Sequence, residues 1–309
     1  MNAVTEPGVG LSEDERLVSA NGIQLCVQEM GDPGGEPLLL IMGLASQMTL
    51  WPDALLQAYV AAGFRVIRFD NRDIGRSEEI KARIEGSPYA AMLRYKLGLS
   101  VPAPYTLHDM AADAIGLLDA LEIDSAHVVG VSMGGMIAQV LGATAAERVR
   151  SLTLIMTSTN SPRTPLPDPR VIWHLQGGGV QGHHEAAVVQ RGLNFWRTVQ
   201  SPAYPASEAE VRERITSDYR RSYRPWGILR QMRGILATGS LEPLTRTIRV
   251  PTRIIHGDAD PLVRPAAARR LNHLIPTADL NWLRGMGHDL PARLLDDIAR
   301  LTIDNAERA

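Results

Sequence analysis

Gly130-Val131-Ser132-Met133-Gly134-Gly135 has the form G-x-S-x-G, a spacing in which a serine can act as a nucleophile. The run before it, Ala126 to Gly130, reads as a short buried strand, and Met136 to Leu141 reads as the start of an amphipathic helix. On such a turn the serine takes up a strained backbone conformation. Side chains two residues to either side would meet the neighbouring strand and helix, which is why both positions are glycine. The hydroxyl then stands above the sheet at the positive end of a helix dipole. A Gly/Ser turn is also ordinary punctuation between elements, so the chemistry needs further groups.

A hydroxyl is a weak nucleophile until a base takes its proton, and that base needs a third group to hold its tautomer. Two later loops offer both: His256-Gly257-Asp258-Ala259-Asp260-Pro261 and Arg284-Gly285-Met286-Gly287-His288-Asp289, each just past an apparent strand. Asp258 directly follows Gly257 and reads as a turn cap. Asp260 lies further out, before Pro261, where the loop can aim a carboxylate, and is the chosen acid. His288 sits in a Gly-flanked loop after the last strand and is the chosen base. His256 reads as a strand-end packing residue, His108 and His127 as residues at element ends, and His183-His184 as a solvated turn without a metal-ligand pattern. The oxyanion formed in ester hydrolysis needs two aimed backbone N–H groups, each worth about 3 kcal/mol when lost. Met133 follows the nucleophile and supplies one. Leu44, in the loop after the third strand, is best placed for the other, leaving both side chains free to line an acyl pocket.

The elements that must position these groups alternate. A hairpin turning at Asn21-Gly22 joins Leu17-Val18-Ser19 to Ile23 through Val27. The continuous apolar run Pro37 to Met42 is a strand buried on both faces, ending in the loop Gly43 to Gln47. Helix 51–62 and strand 64–69 follow, and the strand delivers Asp70-Asn71-Arg72-Asp73-Ile74-Gly75-Arg76-Ser77, a loop dense enough in charge to be locked by hydrogen bonds and ion pairs. Periodicity fades over 80–104, which suggests a surface excursion near the site mouth. A helix over 105–123 follows, with Thr106 and Asp109 as a capping box. Strand 151–156 continues the alternation, which means a parallel sheet. The rhythm breaks between Asn160 and Arg249, where proline and glycine crowd 161–169 and 176–179 and helical patterns recur near 185–199, 207–223 and 226–236. We expect an inserted helical cap. The sheet resumes at strand 252–256, followed by helix 265–274, strand 279–283 and a final helix from Pro291. The division is therefore core 1–159, cap 160–249 and core 250–309.

The chain has 309 residues, 45% hydrophobic and 21% charged, with a formal net charge of -2, as expected of a soluble α/β protein with a sizeable core. Positive charge is almost all arginine, Lys81 and Lys96 being the lysines, and no stripe suits nucleic acid. The single cysteine, Cys26, excludes intrachain disulfides and reads as a small buried hydrophobe. Met1 to Glu15 lacks a basic start and an apolar core, so it is not expected to act as a signal peptide. No apolar run is long enough to span a bilayer, and cytoplasmic residence is the default expectation.

Taken together, Met42-Gly43-Leu44, the Asp70 to Ser77 loop, Gly130 to Gly135, Gly257 to Asp260 and Gly285 to His288 resemble the α/β-hydrolase superfamily across essentially the whole chain. The order Ser, Asp, His is also that family's order. Many members carry His-Gly where this chain has Met42-Gly43. That variant, with Trp51-Pro52 downstream, is similar to the branch of aclacinomycin-type polyketide methylesterases, related bacterial carboxylesterases and serine-dependent macrolide esterases. The resemblance implies Ser132 as nucleophile, His288 as base, Asp260 as its orienting acid, and Leu44 and Met133 as oxyanion donors, with no metal or cofactor. It implies a carboxylic ester hydrolase, a monomer or homodimer whose partner is a small-molecule ester or lactone, macrolide lactones being the first choice. A short-chain carboxylesterase, a polyketide methylesterase, a carbon-carbon bond hydrolase or a non-catalytic small-molecule receptor would fit the same fold. Dehalogenases and epoxide hydrolases fit poorly, because their usual nucleophile is aspartate. The cap would set substrate choice. Its aromatic and Met content, which includes Tyr204 and Met232 and reads mostly as cap core, would suit a large apolar ligand, with Trp173, Phe195, Trp196, Tyr223, Trp226 and Met286 as the expected pocket residues.

Overall fold

The computed structural model describes residues 15–309; Met1 to Asp14, most of the stretch read as lacking a signal peptide, lie outside the described residues. Asn21 and Gly22 both take up positive φ, 48° and 77°, as a two-residue type I′ hairpin turn requires. They join β1 (Arg16–Ala20) antiparallel to β2 (Ile23–Met30). β2 pairs antiparallel with β4 (Phe64–Phe69). Every later pairing is parallel, through β3 (Glu36–Ile41), β5 (Ala126–Val131), β6 (Val149–Ile155), β7 (Thr252–Gly257) and β8 (Ala278–Leu283), giving the order β1-β2-β4-β3-β5-β6-β7-β8.

The apolar runs are continuous because both faces of the sheet are covered. Leu39, Ile41 and Val128 pack on one face with residues of α3 (Leu107–Ala120), α4 (Met133–Thr144) and α10 (Ala266–Leu274). Leu38, Leu40, Val129 and Val131 pack on the other with α1 (Asp53–Ala61) and α11 (Leu295–Ala306). Thr106 and Asp109 form the capping box at the start of α3. Cys26 is buried, and burial pushes its thiol up to about 12.

Two helices lie where the sequence reads as irregular chain. The 80–104 excursion contains α2 (Pro88–Lys96), and the proline-rich run before residue 170 opens α5 (Pro169–Leu175). Both start on proline. The Ser87 hydroxyl accepts the Tyr89 N–H at 3.1 Å and the Asp168 carboxylate accepts that of Arg170 at 2.9 Å, so each Pro occupies the first helical position, where its missing N–H costs nothing. The remaining helices between β6 and β7 are α6 (Glu185–Val199), α7 (Glu208–Arg221), α8 (Pro225–Thr238) and the short α9 (Glu242–Thr245). No helix among the described residues is long and apolar enough to cross a membrane.

The Asp70 to Ser77 loop fastens this helical insertion to the sheet. Asp70, fully buried, accepts the N–H groups of Met48 at 2.8 Å and Arg76 at 2.9 Å and pairs with Arg221 of α7 at 2.8 Å. Asp73 accepts two bonds from Arg230 of α8, at 2.9 and 2.8 Å, and one from the Tyr105 hydroxyl at 2.6 Å. Gly75 has φ 58°, and a Cβ there would fall 2.0 Å from an Asp70 carboxylate oxygen, so no other residue fits the turn.

Candidate active site

Register brings the loops together. Ile41 pairs with Gly130, Val131 with Ile155, Ile155 with Ile255, and Gly257 with Leu283. The carboxyl ends of β3, β5, β7 and β8 therefore finish at one edge, where open α/β sheets hold their ligands. Ser132 stands between β5 and α4 with φ 54° and ψ -114°, a strained conformation for a residue with a side chain. Its N–H bonds Ile155 O at 2.9 Å and its carbonyl accepts the Thr157 hydroxyl at 2.6 Å, so surrounding bonds hold the strain in place. A Cβ on Gly130 would lie 2.4 Å from Gly134 O, and one on Gly134 would lie 2.0 Å from Ile41 O. The tight turn tolerates neither.

His288 lies between Ser132 and Asp260. Its Nδ1 is 2.7 Å from Asp260 Oδ2 and its Nε2 is 3.1 Å from Ser132 Oγ. A carboxylate only accepts, so Nδ1 carries the proton and Nε2 is left to receive that of the serine. Asp260 is buried, and its other oxygen accepts the N–H groups of Leu262 and Val263, both at 2.8 Å. His256 packs beneath, its Nε2 2.8 Å from Val263 O and 3.6 Å from Asp260 Oδ2, and burial holds it below the ordinary imidazole range. Asp258 turns away and accepts the Gly285 N–H at 2.6 Å, which ties the β7 loop to the β8 loop.

The Met42 to Gln47 loop presses on the serine: a Cβ on Gly43 would lie 3.3 Å from Ser132 Cβ. Two side chains hold it there. Asn71 Nδ2 donates to Met42 O at 3.0 Å, and Gln231 Oε1, from α8, accepts the Ala45 N–H at 3.1 Å. Among the described residues, neither the Leu44 nor the Met133 N–H is hydrogen-bonded to any group, and both residues line the cavity above Ser132.

That cavity holds about 720 Å³ and is mostly apolar. Phe195, Trp196, Tyr223 and Met232 line it, as does α2 through Met92 and Tyr95. Trp173, Trp226, Tyr204 and Met286 do not. On α5 it is His174 and Leu175 that face inward, while Trp173 is 58% exposed. On α8 the inward face is Ile228, Met232 and Ile235, so Trp226, two residues from Ile228, falls on the opposite side and is 65% exposed. Met286 is fully buried in the core below, its carbonyl accepting the Ala259 N–H at 3.1 Å, and Tyr204 packs against that same core cluster. Among the described residues no cluster of His, Cys, Asp or Glu could hold a metal ion; His183 instead lies 3.1 Å from the Tyr223 hydroxyl.

Sequence reasoning passes over a second set of contacts around His288. Its N–H donates to Val199 O at 2.7 Å, the Gly287 N–H donates to Ser201 Oγ at 2.9 Å, and Asp289 accepts both the N–H of Ser201, at 2.9 Å, and its hydroxyl. The chain leaving α6 thus seats the loop that carries the histidine. Burial pushes the Asp289 carboxyl above the usual range. No local pattern marks this seat, because it joins segments far apart in the chain.

Comparison with known proteins agrees with the architecture. Over most of its length the chain is similar to the rhodomycin D methylesterase DnrP of Streptomyces peucetius, 27% identical over 303 residues, covering 92% of this chain and 95% of the relative. It is 26% identical to the 2-hydroxymuconate semialdehyde hydrolase of Pseudomonas sp. strain CF600, over 88% of this chain and 87% of the relative. The solved enol-lactonase of Burkholderia xenovorans LB400 superposes with a TM-score of 0.73 at 23% identity, covering 94% of this chain and all of that one. The family model for the alpha/beta hydrolase fold matches residues 36–291, and the chain belongs to that family.

Proposed function

We propose that the protein is a serine-dependent carboxylic ester hydrolase that works through an acyl-enzyme. The observation that carries this reading is the position of His288, with one ring nitrogen on Asp260 and the other facing Ser132. Ser132 Oγ attacks the ester carbonyl as His288 Nε2 takes its proton, and the N–H groups of Leu44 and Met133 receive the developing oxyanion. The proton passes from His288 to the leaving alcohol as the C–O bond breaks. His288 then draws a proton from water as that water attacks the acyl-enzyme carbonyl; the bond to Ser132 Oγ breaks, the proton returns from His288 to the serine, and the acid is released. Asp260 stays ionised throughout and stabilises the imidazolium.

Residues 160–249 serve as the lid that selects the substrate, and the size and apolar lining of the cavity suit a bulky polyketide-type ester. Within that class the full-length likeness to methylesterases favours a methyl ester. A macrolide lactone is the second reading, supported by the same cavity volume. Incubation with a polyketide methyl ester, a macrolide and a vinylogous diketone separates the outcomes by mass: methanol release, gain of one water, or cleavage into two fragments. Ser132→Ala should abolish whichever reaction is seen. Full turnover by that variant would overturn the mechanism.

A further inference from the structure

α7 carries four arginines, and three are paired. Arg212 meets Glu208 at 2.9 Å, Arg220 meets Glu185 at 2.8 Å, and Arg221 meets Asp70 at 2.8 Å and Glu15 at 2.9 Å. Arg214 is the fourth. Among the described residues it makes no hydrogen bond and no ion pair; its guanidinium lies over the Trp196 ring, 4.2 Å from the centroid. It is half-buried, on the helix face that lines the cavity with Ile215, Asp218 and Ser222.

The other cations at the cavity wall are engaged. Lys96 donates to Pro162 O at 2.9 Å, Arg191 to Gly182 O at 2.6 Å, and Arg224 to Ser77 O. Asp218 and Asp289 are near enough for their charges to act on Arg214, yet neither reaches ion-pair distance, and each is held by a hydroxyl, that of Thr49 at 2.8 Å and that of Ser201. A guanidinium always keeps its charge and presents five donors in a planar fork. Its place over the indole satisfies none of those donors. Half-buried at the cavity wall and without a protein acceptor, it is poised for one brought by a ligand.

We propose that Arg214 is a substrate-recognition residue, binding an anionic oxygen group, a carboxylate or an ionised enol or phenol, carried by the ester away from its scissile bond. The proposal rests on the ester-hydrolase reading above and narrows the substrate to esters that also bear an acidic function.

The test compares p-nitrophenyl monoesters of dicarboxylic acids of increasing length with their methyl-capped neutral counterparts, reading kcat/KM for each. The wild type should favour the charged member at one length or more. Arg214→Gln should lower the charged-to-neutral ratio at least about tenfold, the size expected for a charge-assisted hydrogen bond, and Arg214→Lys should retain part of the preference. A ratio unmoved in Arg214→Gln, or a wild type that favours the neutral ester at every length, would overturn the proposal. A second arm needs no turnover: the monomethyl esters of the same acids are titrated calorimetrically into Ser132→Ala with and without Arg214→Gln. Weaker binding only in the doubly substituted protein supports the proposal, and equal binding overturns it. Loss of the mechanism would be seen separately, as neutral-ester turnover persisting in Ser132→Ala.

Discussion

The Ser201 hydroxyl is bonded to the Asp289 carboxylate across 88 residues of chain, and it also accepts the Gly287 N–H at 2.9 Å. His288 is thus flanked on both sides by residues fastened to the segment leaving α6. Small misplacements of a catalytic group cost rate steeply. Ser201→Ala should therefore lower kcat about tenfold on a neutral ester while KM changes little, with Asp289→Ala doing the same. Asp289→Asn keeps an acceptor oxygen and should recover most of the rate. Because both changes break one unit, the double alanine variant should cost little more than either alone; additive losses in steady-state kinetics would show that the two residues act separately.

Strain at Ser132 gives a second expectation. A positive φ on a residue with a side chain stores on the order of 1–3 kcal/mol, and glycine relieves it. Ser132→Gly should be inactive yet more stable than the wild type by roughly 1 kcal/mol, after glycine's greater unfolded-state entropy is subtracted. Ser132→Ala keeps the strain and should not gain. Urea unfolding of the three proteins measures the difference.

Gly134 is constrained from the β3 side. A methyl group there would fall 2.0 Å from Ile41 O, so β3 and the loop that follows it must shift. Gly134→Ala should lose about 1–3 kcal/mol of stability and, by moving the Leu44 N–H, lower turnover beyond what the loss of fold explains. A folded variant, checked by circular dichroism, with undiminished kcat would refute this.

Acid should destabilise the protein through two buried histidines. Burial lowers the proton affinity of His127, whose Nδ1 lies 2.8 Å from Ser151 Oγ, and of His256. A group whose folded pKa is depressed contributes stability above its unfolded pKa, near 6.5, that is lost as pH falls below it. Melting temperature should drop between pH 7 and 5, and His127→Asn should flatten that slope. An unchanged slope in the variant would assign the acid limb to other groups.

The parallel sheet is readable from the sequence because strands covered on both faces are continuously apolar, as Leu38 to Ile41 and Val128 to Val131 are. Ser132, Asp260 and His288 could be named from their places just past strand ends, since parallel register leaves those ends little freedom. Which aromatic side chains face the cavity is not readable in the same way. Trp173 and Trp226 sit one or two residues from inward-facing positions, and composition does not fix a helix's rotation. Proline misleads at Pro169, where it starts a helix instead of breaking the chain, and the faded periodicity over 80–104 hides the helix that begins at Pro88. Met286 looks accessible between two glycines, yet those glycines let the backbone pack closely enough to bury it. Ser201 and Asp289 meet only in three dimensions, so no local spacing announces them.

The bonds from Arg221 and Arg230 to Asp70 and Asp73 bear on how this protein could be re-engineered. A chimaera that replaces the α5–α9 segment with that of a relative would strand two fully buried carboxylates, at a cost of several kcal/mol each. The separable unit is therefore larger than the insertion. A graft should carry residues 70–79 along with it, and libraries aimed at new substrates should leave Arg221 and Arg230 untouched while varying the side chains that face the cavity.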